Sequence, residues 1–239
     1  MNKGILYLIP APLSETSILE AVLPDEVRKT IRSLDHFIVE NEKTARHFLK
    51  SAGTNKPLQE LQLFPLNEHT EPSIVSDYIK PLLNGISMGL LSEAGCPGVA
   101  DPGAEIAHLA HKKNIQIVPF VGPSSILLAL MGSGFNGQNF SFLGYLPRDR
   151  HERVQKIKEI EKRCFRHTQI FIEAPYRNAH LFEDILSTLD VNTEICLATD
   201  LTGKDEFIFS AAVGQWIKRK QEVSDRIHKT PTIFLIYKR

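Results

Sequence analysis

The chain has 239 residues, 42% of them hydrophobic and 23% charged, and its 28 Lys and Arg balance 28 Asp and Glu. That profile excludes a disordered chain, a fibrous repeat and a disulfide-stapled miniprotein, and zero net charge excludes a protein that coats a polyanion with its whole surface. Cys96, Cys164 and Cys196 are odd in number and widely spaced, which argues against a disulfide framework and for a reducing compartment, and the absence of C-x-x-C argues against a structural zinc site. The opening MNKGILYLIPAP is a short apolar run broken by Pro10 and Pro12, unlike a signal peptide or a membrane span. A cytoplasmic protein without membrane or metal is expected.

In chain order, GILYLI at 4–9 reads as a buried strand, followed by a helix opened by Pro24 with Val27, Ile31 and Leu34 on one face. FIVE at 37–40 reads as the next strand, with a helix marked by Ala45, Phe48 and Leu49 after it. LQLFPL at 61–66 is a third strand, and Ile74, Tyr78 and Leu82 mark one helix. SMGLL at 87–91 and QIVP at 116–119 complete five strands, with a helix through Ile106, Leu109 and Ala110 between them. Strands alternating with helices predict an α/β domain with a parallel, doubly wound sheet over residues 1–122.

Residues 123–239 read differently. Residues 124–131 are a small-residue apolar stretch expected to form a buried helix. Strands are expected at 140–146, 168–172, 194–198, 206–210 and 232–237. Two amphipathic helices lie between them. One covers 150–164 with Val154, Ile157, Ile160 and Cys164 inward; the other covers 178–189 with Leu181, Phe182, Ile185 and Leu189 inward. Late strands without long helices between them predict a mixed α+β sheet. The first domain carries 11 basic and 14 acidic side chains, the second 17 and 14, and the basic excess sits in 148–158, 162–166 and 218–220.

Four segments carry chemistry. Gly132, Gly134 and Gly137 spell G-x-G-x-x-G, but they follow a helix and lead into a strand, so no helix caps a pyrophosphate there. LLSEAGCPGVADPG at 90–103 leaves a strand and enters a helix, with Pro and Gly fixing an irregular backbone where open α/β sheets bind ligands. VGPSS at 121–125 leaves the next strand, and Ser124 or Ser125 is placed to cap the helix that follows. IFIEAPYR at 170–177 ends a strand on Glu173, which is placed to pair with Arg177. No Walker, H-E-x-x-H or G-x-S-x-G motif occurs, and Lys112 and Lys113 beside His108 and His111 mark a solvated face.

Taken together, LLSEAGCPGVADPG, VPFVGPSS, FLGYLPR and IFIEAPYR, in this order and spacing, resemble the tetrapyrrole methylase superfamily, and within it the ribosomal RNA small subunit methyltransferase I branch. The resemblance runs from Gly4 to the last strand. It implies two α/β domains with S-adenosylmethionine in the cleft between them, and a homodimer. It implies cofactor contacts from Pro10, from Ser92, Ala94, Gly95, Cys96 and Pro97, from Gly122, Ser124 and Ser125, and from Glu173 and Pro231. The chain departs from the branch pattern at several points. A-T-P-I-G-N-L becomes IPAPLSE, A-E-D-T-R becomes VENEK with Arg46 displaced, S-D-A-G-T-P becomes SEAGCP, and E-S-P-H-R becomes EAPYR.

The substrate stays open at this point. Methyl transfer to a ribose hydroxyl of RNA, the cytidine 2′-hydroxyl in the branch it resembles, needs a base. Glu40, Glu42 and Glu93 are the candidates, with Arg46 as a further catalytic candidate. Arg148, Arg150 and Arg177 are candidates for substrate contacts. Transfer to a tetrapyrrole or another small molecule needs less base assistance and cationic partners for acidic side chains. A module that binds the cofactor without catalysis is the third alternative, motivated by the altered Asn41, Lys43 and Tyr176.

Overall fold

The computed structural model describes residues 2–67 and 69–239. The chain divides into two compact units, Met1–Ser124 and Ser125–Arg239. All ten strands expected from the sequence form. In the first unit they are β1 (Ile5–Ile9), β2 (His36–Val39), β3 (Gln62–Pro65), β4 (Met88–Leu91) and β5 (Gln116–Pro119). They pair in the order β3-β2-β4-β1-β5, every pair parallel. The helices are α1 (Leu19–Val22), α2 (Asp25–Ser33), α3 (Glu42–Ala52), α4 (Pro72–Val75), α5 (Lys80–Leu83) and α6 (Gly103–Lys112).

The sheet is covered on both faces. Leu19, Leu23, Val27, Ile31 and Leu49 from α1 to α3 pack on one side with Ile9 and Phe37, and Val75, Ile79, Leu82, Ile106 and Ala110 pack on the other with Leu6 and Leu90. Burial on both faces is why these strands read as apolar runs rather than as alternation. Gly89 in the central strand is there for space: a Cβ would lie 2.7 Å from Phe37 Cδ1 and 2.8 Å from Ile9 Cδ1.

One expectation in this unit fails. Ile74, Tyr78 and Leu82 do not share a helix; α4 and α5 are separate single turns, and Ile74 is exposed. Pro81 lacks the N–H that a continuous helix would need and instead sits in the first turn of α5.

The second unit holds β6 (Phe140–Tyr145), β7 (Thr168–Ile172), β8 (Glu194–Thr199), β9 (Phe207–Ala212) and β10 (Thr232–Tyr237) in the order β6-β7-β10-β8-β9. Only β6 and β7 run parallel; the other pairs are antiparallel, giving the expected mixed sheet. Its helices are α7 (Ser125–Ser133), α8 (Arg150–Arg163), α9 (Asn178–Thr188), α10 (Val213–Lys218) and α11 (Lys220–Ile227).

Two details differ from the sequence pattern. Helix α7 buries Ala129, Leu130 and Ser133 but leaves Leu127 and Met131 exposed, so its apolar character does not make it buried all round. On α8 the charged Arg153 is buried where Val154 is only partly so. Asp184 of α9 explains this: it is itself buried and accepts from Arg153 Nε at 2.9 Å and Nη2 at 2.7 Å, while Arg153 Nη1 caps the Arg148 carbonyl at 2.8 Å. Both of these donors share the one oxygen Oδ2, and a charge-assisted pair of this kind is what allows a guanidinium inside. Among the described residues, no helix is long and apolar enough to cross a membrane, and no group of three His, Cys, Asp or Glu is placed to hold a metal.

Candidate functional site

Crossovers from β1 and β2 run over the α1–α3 face, and the crossover from β4 runs over the α6 face. Neighbouring strands whose connections diverge leave a crevice beyond their carboxyl ends. A cavity of about 830 Å³ opens there, lined by residues 11–14, by Glu40, Asn41 and Thr44, and by residues 92–94, with Ile18, His47 and Phe48 also on its wall.

The loop after β4 is built by its own hydrogen bonds. Ser92 is buried and its Oγ donates to the Gly95 carbonyl at 2.8 Å. Gly95 and Ala11 exchange both backbone bonds, at 2.9 and 3.0 Å, which ties this loop to the turn after β1. Gly95 has φ 75° and Gly98 φ 80°, conformations that favour glycine. Cys96 Sγ donates to the Pro123 carbonyl at 3.5 Å, joining the 121–125 loop to the same assembly. Gly122 lies against Pro10 so closely that a Cβ would fall 2.4 Å from its Cβ and 2.6 Å from its Cγ. Asp101 Oδ1 then accepts from Gly98 N–H at 2.8 Å and Gly103 N–H at 2.7 Å and fixes the entry to α6.

Glu40 follows β2 and stands on the cavity wall. Burial, reinforced by the Asp101 and Glu93 carboxylates, pushes its pKa up to about 7, against the opposing Glu93 backbone N–H. Burial likewise raises Asp101. Glu93 faces the same cavity and accepts from Thr44 Oγ1 at 3.2 Å. The other two catalytic candidates are placed differently. Arg46 donates to the Leu58 carbonyl at 2.6 Å and pairs with Glu42 at 3.7 Å, and neither lines the cavity. The α3 face supplies Thr44, His47 and Phe48 to the wall instead; of these, sequence periodicity gives Phe48 only as a helix-face residue.

In the second unit, Glu173, Thr199 and Pro231 come to one end of the mixed sheet, since Ile172 pairs with Ile233 and Thr199 with Thr232. Glu173 is buried, ion-paired with Arg177, and accepts from the Ala174 N–H at 2.7 Å. Its second oxygen, Oε2, is buried without a partner, as is Thr199 Oγ1. Arg148 is exposed, and Arg150 Nε donates to Asp184 Oδ1 at 2.9 Å with most of the side chain in solvent.

No family model matches the chain. It is 32% identical over 208 residues to the ribosomal RNA small subunit methyltransferase I of Vibrio cholerae serotype O1, covering 85% of this chain and 67% of that protein. The protein of the same name from Leptospira borgpetersenii is 30% identical over 240 residues, covering 99% of this chain and 89% of the relative. The chain belongs to the ribosomal RNA small subunit methyltransferase I family.

Membership makes the chain a methyltransferase. Solved structures agree in fold: a uroporphyrin-III-C-methyltransferase from Thermus thermophilus has a TM-score of 0.58 at 16% identity, covering 98% of this chain and 92% of that one. The cobalt precorrin-4 methyltransferase CbiF has a TM-score of 0.63 at 12% identity, covering 98% and 94%. Two of the departures from the family pattern have local explanations. Asn41, where the pattern has Asp, caps α3 by accepting from Lys43 N–H at 2.9 Å and Thr44 N–H at 3.3 Å, a task both residue types perform. Cys96, where the pattern has Thr, keeps a donor on the Pro123 carbonyl.

Proposed function

We propose that the chain transfers a methyl group from S-adenosylmethionine to small-subunit ribosomal RNA, at the 2′-hydroxyl of a cytidine. The observation that carries this reading is the Glu40 carboxylate, held near a pKa of about 7 on the wall of the cavity.

The residues present fit the cofactor. In the first unit, residues 92–98 form an ordered glycine-bearing loop at the carboxyl end of a parallel strand, with Gly95 at a left-handed φ of 75° and Gly122 too close to Pro10 for a side chain. We assign Pro10, Ser92, Ala94, Gly95, Cys96, Pro97, Gly122 and Ser124 of the first unit to holding it. When bound, the cofactor supplies an electrophilic methyl on a sulfonium.

Glu40 then takes the proton from the attacking hydroxyl. A base is most effective when its pKa lies near the working pH, and about 7 satisfies that. Burial first, and then Asp101 and Glu93, keep the carboxyl from ionising earlier, and Thr44 donates to Glu93. The cavity wall carries Glu15, Glu20, Glu40 and Glu93 and, among the described residues, no Lys or Arg. A tetrapyrrole with carboxylate side chains finds no cation there. A cytidine presents an amino donor at N4, which carboxylates accept.

The test is methylation of ribosomal RNA from cells lacking this chain, with labelled cofactor, followed by digestion and nucleoside mapping. Label in 2′-O-methylcytidine of the small-subunit RNA is expected. Label that enters no RNA, or only a small molecule of the extract, ends the reading.

A further inference from the structure

The basic excess of the chain concentrates in one stretch: residues 148–167 hold eight Lys or Arg against four Asp or Glu. Helix α8 occupies most of it and places Gln155, Lys158 and Lys162 at i, i+3 and i+7, one face. Lys158, Lys162 and Arg163 are exposed and, among the described residues, have no carboxylate within salt-bridge distance. The acids that could neutralise them are engaged elsewhere. Glu161 accepts from the Asp190 N–H at 2.9 Å, from Thr193 Oγ1 and from Lys238 Nζ at 3.3 Å, and Glu159 pairs with Lys156 at 3.2 Å.

The turn that follows α8 adds an aromatic. Phe165 is 63% exposed, and the Arg166 guanidinium lies over its ring, 5.5 Å from the centroid. This turn is held rigidly. Arg166 adopts a left-handed φ of 52°, unfavourable for a residue with a Cβ. Its N–H donates to the Lys238 carbonyl at 2.8 Å and its carbonyl accepts from Asn136 Nδ2 at 2.8 Å. His167 Nε2 lies 2.9 Å from Ser141 Oγ. A large apolar ring fixed in solvent beside a guanidinium does nothing for the core. It has the composition of a surface on which a base stacks, next to cations that track a backbone.

We propose that the outer face of α8 and the 164–167 turn form a docking surface for single-stranded or irregular RNA, in which Lys158, Lys162 and Arg163 neutralise phosphates and Phe165 with Arg166 stacks an unpaired base. The surface belongs to the second unit and deepens the RNA reading above, on which it rests. Because Phe165 and its neighbours are preorganised, little ordering opposes binding there.

The experiment uses the full chain and protein-free small-subunit ribosomal RNA from cells lacking it. Two variants are compared with the parent: the triple K158E/K162E/R163E and F165S. All four positions are exposed, so folding is preserved, and adenosylmethionine affinity by calorimetry verifies this. The triple variant is expected to bind RNA at least about tenfold more weakly, with its log–log salt slope shallower by roughly 2, since three phosphate contacts on a single strand each contribute about 0.7. F165S is expected to weaken binding by about 5-fold or more with the salt slope unchanged, the mark of lost stacking rather than lost charge. Turnover at saturating RNA should stay within about twofold of the parent in both variants, because no catalytic group is touched.

RNA affinity and salt slope unchanged in both variants overturn the proposal, even if the parent methylates RNA. A parent whose RNA binding depends on these residues but which transfers no methyl to RNA leaves the docking surface standing and ends the catalytic reading. A parent that neither binds nor methylates RNA ends both.

Discussion

Glu40 joins two properties that are separable by measurement. As a base it must be ionised to act, so turnover should rise with pH through about 7 and level off above it. Glu40→Gln is expected to lower turnover by a factor of about 10² to 10⁴ and to remove that rise. A pH profile unchanged in the variant would assign the proton to another group. The same shift acts on folding. A carboxyl whose pKa is raised by the fold binds its proton more tightly folded than unfolded. Its stabilising effect is therefore complete below the ordinary value near 4.5 and is lost as pH rises through about 7. Asp101, also raised by burial, acts with the same sign. Thermal midpoints of the parent should fall between pH 5 and pH 8, and Glu40→Gln should flatten part of that fall. With the group half exposed, solvent screening reduces the gain at pH 8 to about 1 kcal/mol. Loss of activity with increased stability at pH 8 is the combination expected of a strained functional carboxyl; loss of both would mark a structural one.

At the scale of elements, the loop after β4 depends on its left-handed glycine. Gly95→Ala places a Cβ at φ 75° and 3.3 Å from Leu13 Cδ2, which should cost about 1 to 2 kcal/mol and shift the 92–98 backbone. Adenosylmethionine affinity measured by calorimetry is expected to fall at least about tenfold, whereas Asn41→Ala, which removes the α3 cap, should cost about 1 kcal/mol of stability and leave that affinity near the parent's. Equal affinity in Gly95→Ala and parent would separate this loop from the cofactor. The same loop illustrates what a single sequence reveals. Its position was legible because proline and glycine punctuate a strand-to-helix passage, and all ten strands were legible because apolar runs of that length between helical patterns have few alternatives. Glu40 could be named as a candidate because it opens the acidic segment after the second strand, where the family pattern has A-E-D-T-R. Its distinction from Glu42 and Arg46 was not legible: Ala45, Leu49 and Ala52 bury the inner side of α3, but Arg46 is held away from the cavity by the Leu58 carbonyl, a contact across twelve residues with no local signal. The break between α4 and α5 had a signal in Pro81, outweighed by an apolar spacing that imitates a helix. Arg153 inside the second core had none, because its partner Asp184 lies on another helix.

That buried pair belongs to the scale of the whole molecule, because each unit has its own core. Leu181, Phe182, Ile185 and Trp216 centre the core of the second unit, while two clusters on either face of the parallel sheet serve the first. Asp184→Ala leaves the Arg153 guanidinium buried without its carboxylate, a change expected to cost about 3 to 5 kcal/mol. Replacing both, as Asp184→Leu with Arg153→Met, removes the orphaned charge and should recover most of that loss. Trp216, the single tryptophan, reports on the second unit alone; it is fully buried and donates to the Ile195 carbonyl at 3.0 Å. In urea, its fluorescence midpoint in Asp184→Ala should move down by on the order of 2 M, given slopes of 1 to 3 kcal/mol per M. Far-ultraviolet circular dichroism, which reports both units, should then separate into two steps, the later one near the parent's midpoint. Fluorescence and dichroism that move together as one transition would mean that the two cores unfold as a single cooperative body, and the destabilisation would then have to be assigned to the whole chain rather than to the unit that contains the pair.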